Sequence, residues 1–247
     1  MNRVAQGLVL VLLGTAALAS TVFTELYLNY VQAGFRPFLI AAGVVLVVLG
    51  LVVVAAELRL VVREEQAAHD HGGGHGDHAH VPRVAWLLLL PAVSVFVIAP
   101  PALGAYTAEN AASAAPPEKA EGGGNFDELG DPDSAAPVEM KLREFVSRAW
   151  TDEERAMSGR TIELTGFAVP NPEGKGWYLA RLQMACCAAD AIVNRVLITD
   201  QPEPAKDSWW TVRGTWEEPE GDLQSVRDHH FSVAEMTEVD DPPDPYE

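Results

Sequence analysis

Cys186 and Cys187 are the only cysteines in the 247 residues, and they stand side by side with Asp190 three positions further on. Thiolates are soft metal ligands and redox-active groups, and a nearby carboxylate completes or tunes such a site. In Met184-Ala185-Cys186-Cys187-Ala188-Ala189-Asp190-Ala191 the alanines suit a tight segment that brings the backbone close to whatever the sulfurs hold. Two other readings stay open. The pair can fill a core at a strand end, since free cysteine is among the most buried residue types. It can also cycle between thiols and a strained vicinal disulfide, the kind that is readily reduced. No Cys-x-x-Cys is present, which argues against an ordinary thiol oxidoreductase.

A second donor set lies in His69-Asp70-His71-Gly72-Gly73-Gly74-His75-Gly76-Asp77-His78-Ala79-His80. Imidazole suits zinc and other borderline transition metals, but the irregular spacing specifies no single geometry. The tract points to transient capture or buffering of metal; a soluble, pH-sensitive linker is the plainer alternative. His229 and His230 are auxiliary candidates near the last strand, although polar residues at a strand start explain them as well. Arg181 is a third auxiliary residue, able to neutralise a thiolate or pair with Asp190, or else an ordinary surface arginine. Trp209, Trp210 and Trp216 read as core and rim packing. No Ser/His/Asp arrangement stands out, so no enzymatic activity is expected.

Apolar residues and charge are segregated along the chain. From Leu103 onward 12 Lys+Arg face 29 Asp+Glu, which is 12 − 29 = −17 of the total −18. Such a surface repels phosphate backbones and excludes nucleic acid as a partner. The N-terminal part instead carries three apolar stretches, at about 7–28, 37–56 and 84–103, each long enough to cross a bilayer core of roughly 30 Å as a helix. Arg3, Arg59, Arg63 and Arg83 lie on one side of these spans, with Arg36 on the other. The positive-inside rule then places the N-terminus and the His tract (within 63–83) in the cytoplasm and everything after the third span outside. Ala17-Leu18-Ala19 offers a signal-peptidase alternative for the first span.

The expected organisation is a multi-pass membrane region over 1–107, a disordered acidic tether over 108–137, a folded domain over 138–240 and a flexible tail over 241–247. In the domain, Val138, Leu142, Phe145, Val146 and Ala149 recur at helical spacing, and Thr151-Asp152-Glu153-Glu154 looks like a capping box. The period then changes to two. Thr161–Val169, Trp177–Met184, Asn194–Thr199, Trp209–Trp216 and Phe231–Met236 read as five strands, with a bend at Gly166. The fold class is therefore an α+β membrane protein: transmembrane helices, then a small extracytoplasmic all-β domain built as an OB-like five-stranded barrel with one leading helix. An open β-sandwich fragment is the alternative. In the barrel the cysteine segment leaves strand two as a rim loop.

The order of these features resembles the uncharacterised YcgQ-like family of bacterial permease subunits. The likeness rests on Tyr30 and Arg36-Pro37 between the first two spans, the His-rich loop, Gly166-Phe167, Leu179-Ala180-Arg181 and Cys187-Ala188-Ala189-Asp190. It implies an accessory membrane subunit beside a multi-spanning permease, handling a metal or metal-related solute; the donor sets themselves make zinc or another transition metal the expected cofactor.

Overall fold

The computed structural model describes residues 3–68, 102–110, 129–130, 136–240, 242 and 246–247. The chain forms two compact units, Met1–Pro101 and Ala102–Glu247. The third expected span, apart from its last residues, and the whole His tract lie outside the described residues, as does most of the expected tether.

In the first unit, α1 (Arg3–Leu18) continues as a π-helical turn over Ala19–Phe23, and α2 runs from Arg36 to Ala68. Arg3–Phe23 and Ala33–Leu60 are long and apolar enough to cross a membrane. The first stretch thus ends five residues before the expected Leu28, because the backbone turns through short 3-10 helices over Leu26–Asn29 and Ala33–Phe35. The two helices run antiparallel with glycines at their contact. A Cβ on Gly14 would meet the Gly43 carbonyl at 2.7 Å, and one on Gly50 would meet that of Gly7 at 2.6 Å. Glycines one heptad apart on both helices let the backbones approach without side-chain obstruction. Hydroxyls in these apolar helices turn back on their own carbonyls, Thr15 Oγ1 to Val11 O at 2.8 Å for example.

The second unit is built round a six-stranded mixed sheet: β1 (Val138–Glu139), β2 (Ile162–Pro170), β3 (Trp177–Gln183), β4 (Ile192–Ile198), β5 (Trp209–Glu217) and β6 (His230–Glu238). The strand order is β1-β2-β3-β4-β6-β5, and β5 returns to β2, so five strands form a ring. One side is joined only at the parallel pair Leu197↔His230, which makes it a ring and not a clearly closed barrel. Gly166 is the hinge of that curvature. From Ile162 to Phe167 β2 pairs with β5, and from Phe167 to Pro170 with β3. A Cβ on Gly166 would stand 2.6 Å from the Ala180 carbonyl, so only glycine permits the crossing. A second irregularity falls between Arg213 and Gly214, where the β5–β6 register shifts.

Alternation along the strands sends Ile162, Leu164, Trp177, Leu179, Val212, Trp216 and Phe231 into one core. The helix α4 (Leu142–Thr151) closes this core with Leu142, Phe145, Val146, Ala149 and Trp150. Phe145 and Phe231 meet edge-on at 5.6 Å. A second cluster, with Phe167, Tyr178, Ala180 and Leu182, is covered by the short helix α3 (Ala105–Asn110) through Ala105 and Ala108. Asp207 Oδ1 accepts the Ala105 N–H at 2.6 Å and fixes that helix. Residues 108–110, expected in the tether, are thus part of the folded unit.

Two local expectations are corrected. Val138 starts a strand and not a helix: it pairs parallel with Ile162, and α4 begins only after the extended Lys141. The Thr151 side chain does not cap a following turn but bonds back to Ser147 O at 2.8 Å. Asp152 caps instead, accepting the Glu154 and Ala156 N–H groups at 3.1 and 3.0 Å.

Candidate functional site

β3 and β4 are antiparallel, and their last registered pair is Gln183↔Ile192. Residues 184–191 therefore form the hairpin connection, too long for a two-residue turn and in need of its own internal bonds. Asp190 provides them. Its Oδ1 accepts the Ala185 N–H at 3.0 Å, and its Oδ2 accepts those of Cys186 at 2.8 Å and Cys187 at 3.4 Å. A single 3-10 turn, Ala188–Asp190, closes back on the Cys187 carbonyl at 2.9 Å. The Cys187 sulfur accepts the Asp190 N–H, and so the motif is a reciprocal capping box with a sulfur in place of the usual hydroxyl.

This organisation turns both sulfurs outward and together. Cys186 is exposed and Cys187 half-buried, both as free thiols, with Sγ to Sγ at 3.6 Å. Neither fills a core. A disulfide would need about 2.05 Å. Two thiolates on one tetrahedral zinc, at about 2.3 Å each, stand about 3.8 Å apart, close to the separation here. The donor atoms of Cys186, Cys187 and Asp190 all lie within 4.8 Å of one another, so the three can hold a metal ion.

Electrostatics sets the resting state of the loop. The hydrogen bond from the Cys186 thiol to Asp190, helped by Cys187, pushes that thiol up to about 12. The same thiol bond, followed by the backbone N–H groups, holds the Asp190 carboxyl below its usual range against partial desolvation. Cys186 is therefore a protonated donor at neutral pH, poorly suited to nucleophilic attack, and a cation must displace its proton to use the sulfur.

The auxiliary candidates lie elsewhere. Leu197↔His230 sets the two histidines at the far end of β4, five residues or about 16 Å along the strand from Ile192 and the cysteine loop. His230 is partly exposed and 3.7 Å from Glu217. His229 is not an exposed strand-start residue: it is 2 % exposed, between Trp150 and Trp216 at 5.8 and 5.9 Å, and neither ring nitrogen finds a partner among the described residues. Arg181 is likewise buried and not a surface residue. Its guanidinium lies over the Trp209 ring at 4.8 Å, with Glu247 at 3.8 Å, and is occupied away from Asp190. The five histidines of the 69–80 tract lie outside the described residues.

A polar cluster that the sequence reading missed sits beside His229. Asp228 accepts from Arg195 Nε at 2.9 Å and from the Tyr178 hydroxyl at 3.3 Å, while the Arg195 guanidinium covers the Tyr178 ring at 4.1 Å. Burial, then the Asp228 charge, pushes the Tyr178 hydroxyl up. Asp228, Arg195 and His229 border a shallow cleft, with room for about one water, shared with Val146, Trp150 and Val193. The run Asp228-His229-His230 was its only trace in the sequence.

Neither the curated proteins nor the solved structures contain a match to the chain. A family match exists for the C-terminal part: residues 146–247, which hold the ring and the cysteine loop, match the DUF1980 C-terminal domain.

Proposed function

We propose that this chain is a non-enzymatic, membrane-anchored subunit that receives a thiophilic transition ion, zinc foremost, on the Cys186-Cys187 loop and serves a multi-spanning permease. The observation that carries the reading is the pair of outward-facing sulfurs 3.6 Å apart on a loop whose carboxylate already fixes the backbone. Two sulfurs presented at the surface suit uptake and release better than a permanent structural zinc enclosed by four ligands of a single chain. The two candidate spans support anchoring. The arginine distribution supports a multi-pass topology with the His tract in the cytoplasm and the cysteine loop outside. The permease partnership rests on the YcgQ-like resemblance. We read the five-strand ring as an OB-like barrel on its strand order, with the functional loop at its rim.

The test uses the detergent-solubilised full chain with His69, His71, His75, His78 and His80 replaced by alanine, equilibrated with zinc, desalted and analysed for metal. The parent should retain zinc and the Cys186→Ser/Cys187→Ser chain should lose it. Asp190→Asn should weaken retention about tenfold or more, since an amide oxygen replaces the carboxylate that takes the loop's N–H groups. Equal retention in parent and double-serine chains would remove the reading. A parent mass two hydrogens light, restored by mild reductant, would favour the thiol–disulfide function.

A further inference from the structure

The loop presents half of a tetrahedral sphere, and the other half is not within its own reach. Among the described residues no further His, Cys, Asp or Glu joins Cys186, Cys187 and Asp190. Asp190 is a weak third donor, because its two oxygens already take three backbone N–H groups. His229 and His230 are about 16 Å along β4. We infer that the ion is shared: the Cys186-Cys187 pair of a second copy of this chain supplies the remaining two sulfurs, giving a four-thiolate site between two loops. The inference rests on the metal reading above.

The surroundings of the sulfurs favour this occupant. Ala185 and Ala189 are exposed and too small to shield the pair from an approaching twin. Ile192, at the base of the loop, is 50 % exposed; with Tyr106 it is one of only two large apolar side chains that the described C-terminal unit leaves so open. A twin loop would cover it. Two sulfurs 3.6 Å apart match one edge of a tetrahedron, whereas a linear two-coordinate ion at the same bond length would need about 4.6 Å. A tetrahedron has two such opposite edges, which a two-fold axis relates. Each copy carries −17 from residue 103 onward, so metal-free pairing through this face is opposed by repulsion and the cation is what joins the loops.

Cobalt(II) is the probe, because thiolate-to-cobalt charge transfer reports sulfur ligation and its ligand-field bands report tetrahedral geometry. The full chain bearing the five histidine-to-alanine changes is titrated in detergent, with protein mass followed by light scattering. The expected result is saturation at one cobalt per two chains, an intensity of four thiolates per ion, and a doubled protein mass that chelation reverses. One cobalt per chain, at whatever mass, overturns the shared site and leaves the metal reading standing. Absence of any charge-transfer band overturns both.

Discussion

At the scale of single residues, His229 gives the clearest linkage between burial and pH. Burial pushes its imidazole down to about 4, with Asp228 opposing the shift and His230 adding to it. In the unfolded chain the same group titrates near 6.5. Below about 6.5 the unfolded state takes up the proton first, so the stability tied to neutral His229 is complete above that pH and is lost as pH falls toward 4. The full effect is up to about 3 kcal/mol. His229→Phe keeps an aromatic ring between Trp150 and Trp216 and removes the titration. Urea midpoints of the solubilised chain, read by tryptophan fluorescence at pH 7 and pH 4.5, should fall less in the variant than in the parent. An identical fall in both would show that His229 contributes nothing to acid sensitivity.

At the scale of elements, the ring depends on places where strands cross with no room for a side chain. Gly166→Val should cost about 1–3 kcal/mol, because its first carbon meets the Ala180 carbonyl and β2 cannot yield without releasing β3 or β5. Gly174→Val lies in the open β2–β3 turn, with its nearest neighbour 3.6 Å away, and should change stability by under about 0.5 kcal/mol. Thermal unfolding of the two chains should separate them by several degrees; equal midpoints would refute the crossing as a constraint. Gly166 was legible in the sequence because it interrupts a period of two, and the five strands were legible for the same reason. Gly214 was not, since its constraint comes from the facing strand β6. Nor was the start of α4, which is capped from residue 247, nor the burial of Arg181, which needs Trp209 and Glu247 as neighbours. Local periodicity encodes neither. The cysteine loop stood out by composition alone, but its geometry depends on the β3–β4 register that brings Asp190 back under the sulfurs.

At the scale of the whole molecule, the expected topology puts the two donor sets on opposite faces of a membrane. In a chain with Cys186 and Cys187 replaced, a cysteine at Ser113 should react with a membrane-impermeant thiol reagent on intact cells, and one at Gly73 should react only after lysis. The reverse pattern would place the cysteine loop in a reducing compartment. The C-terminal unit is also tied together through residues 246 and 247. Glu247 accepts the Leu142 and Arg143 N–H groups at 2.9 Å each through its side chain, its own N–H reaches Leu182 O at 2.9 Å, and the Tyr246 hydroxyl takes the Leu103 N–H at 3.1 Å. The group that caps α4 thus lies about a hundred residues further along the chain, and two N–H groups of its first turn depend on that distant side chain. The first turn of α4, the end of β3 and the segment at Leu103 are thereby tied to one pair of residues far along the chain, so a change at 246–247 is felt at all three.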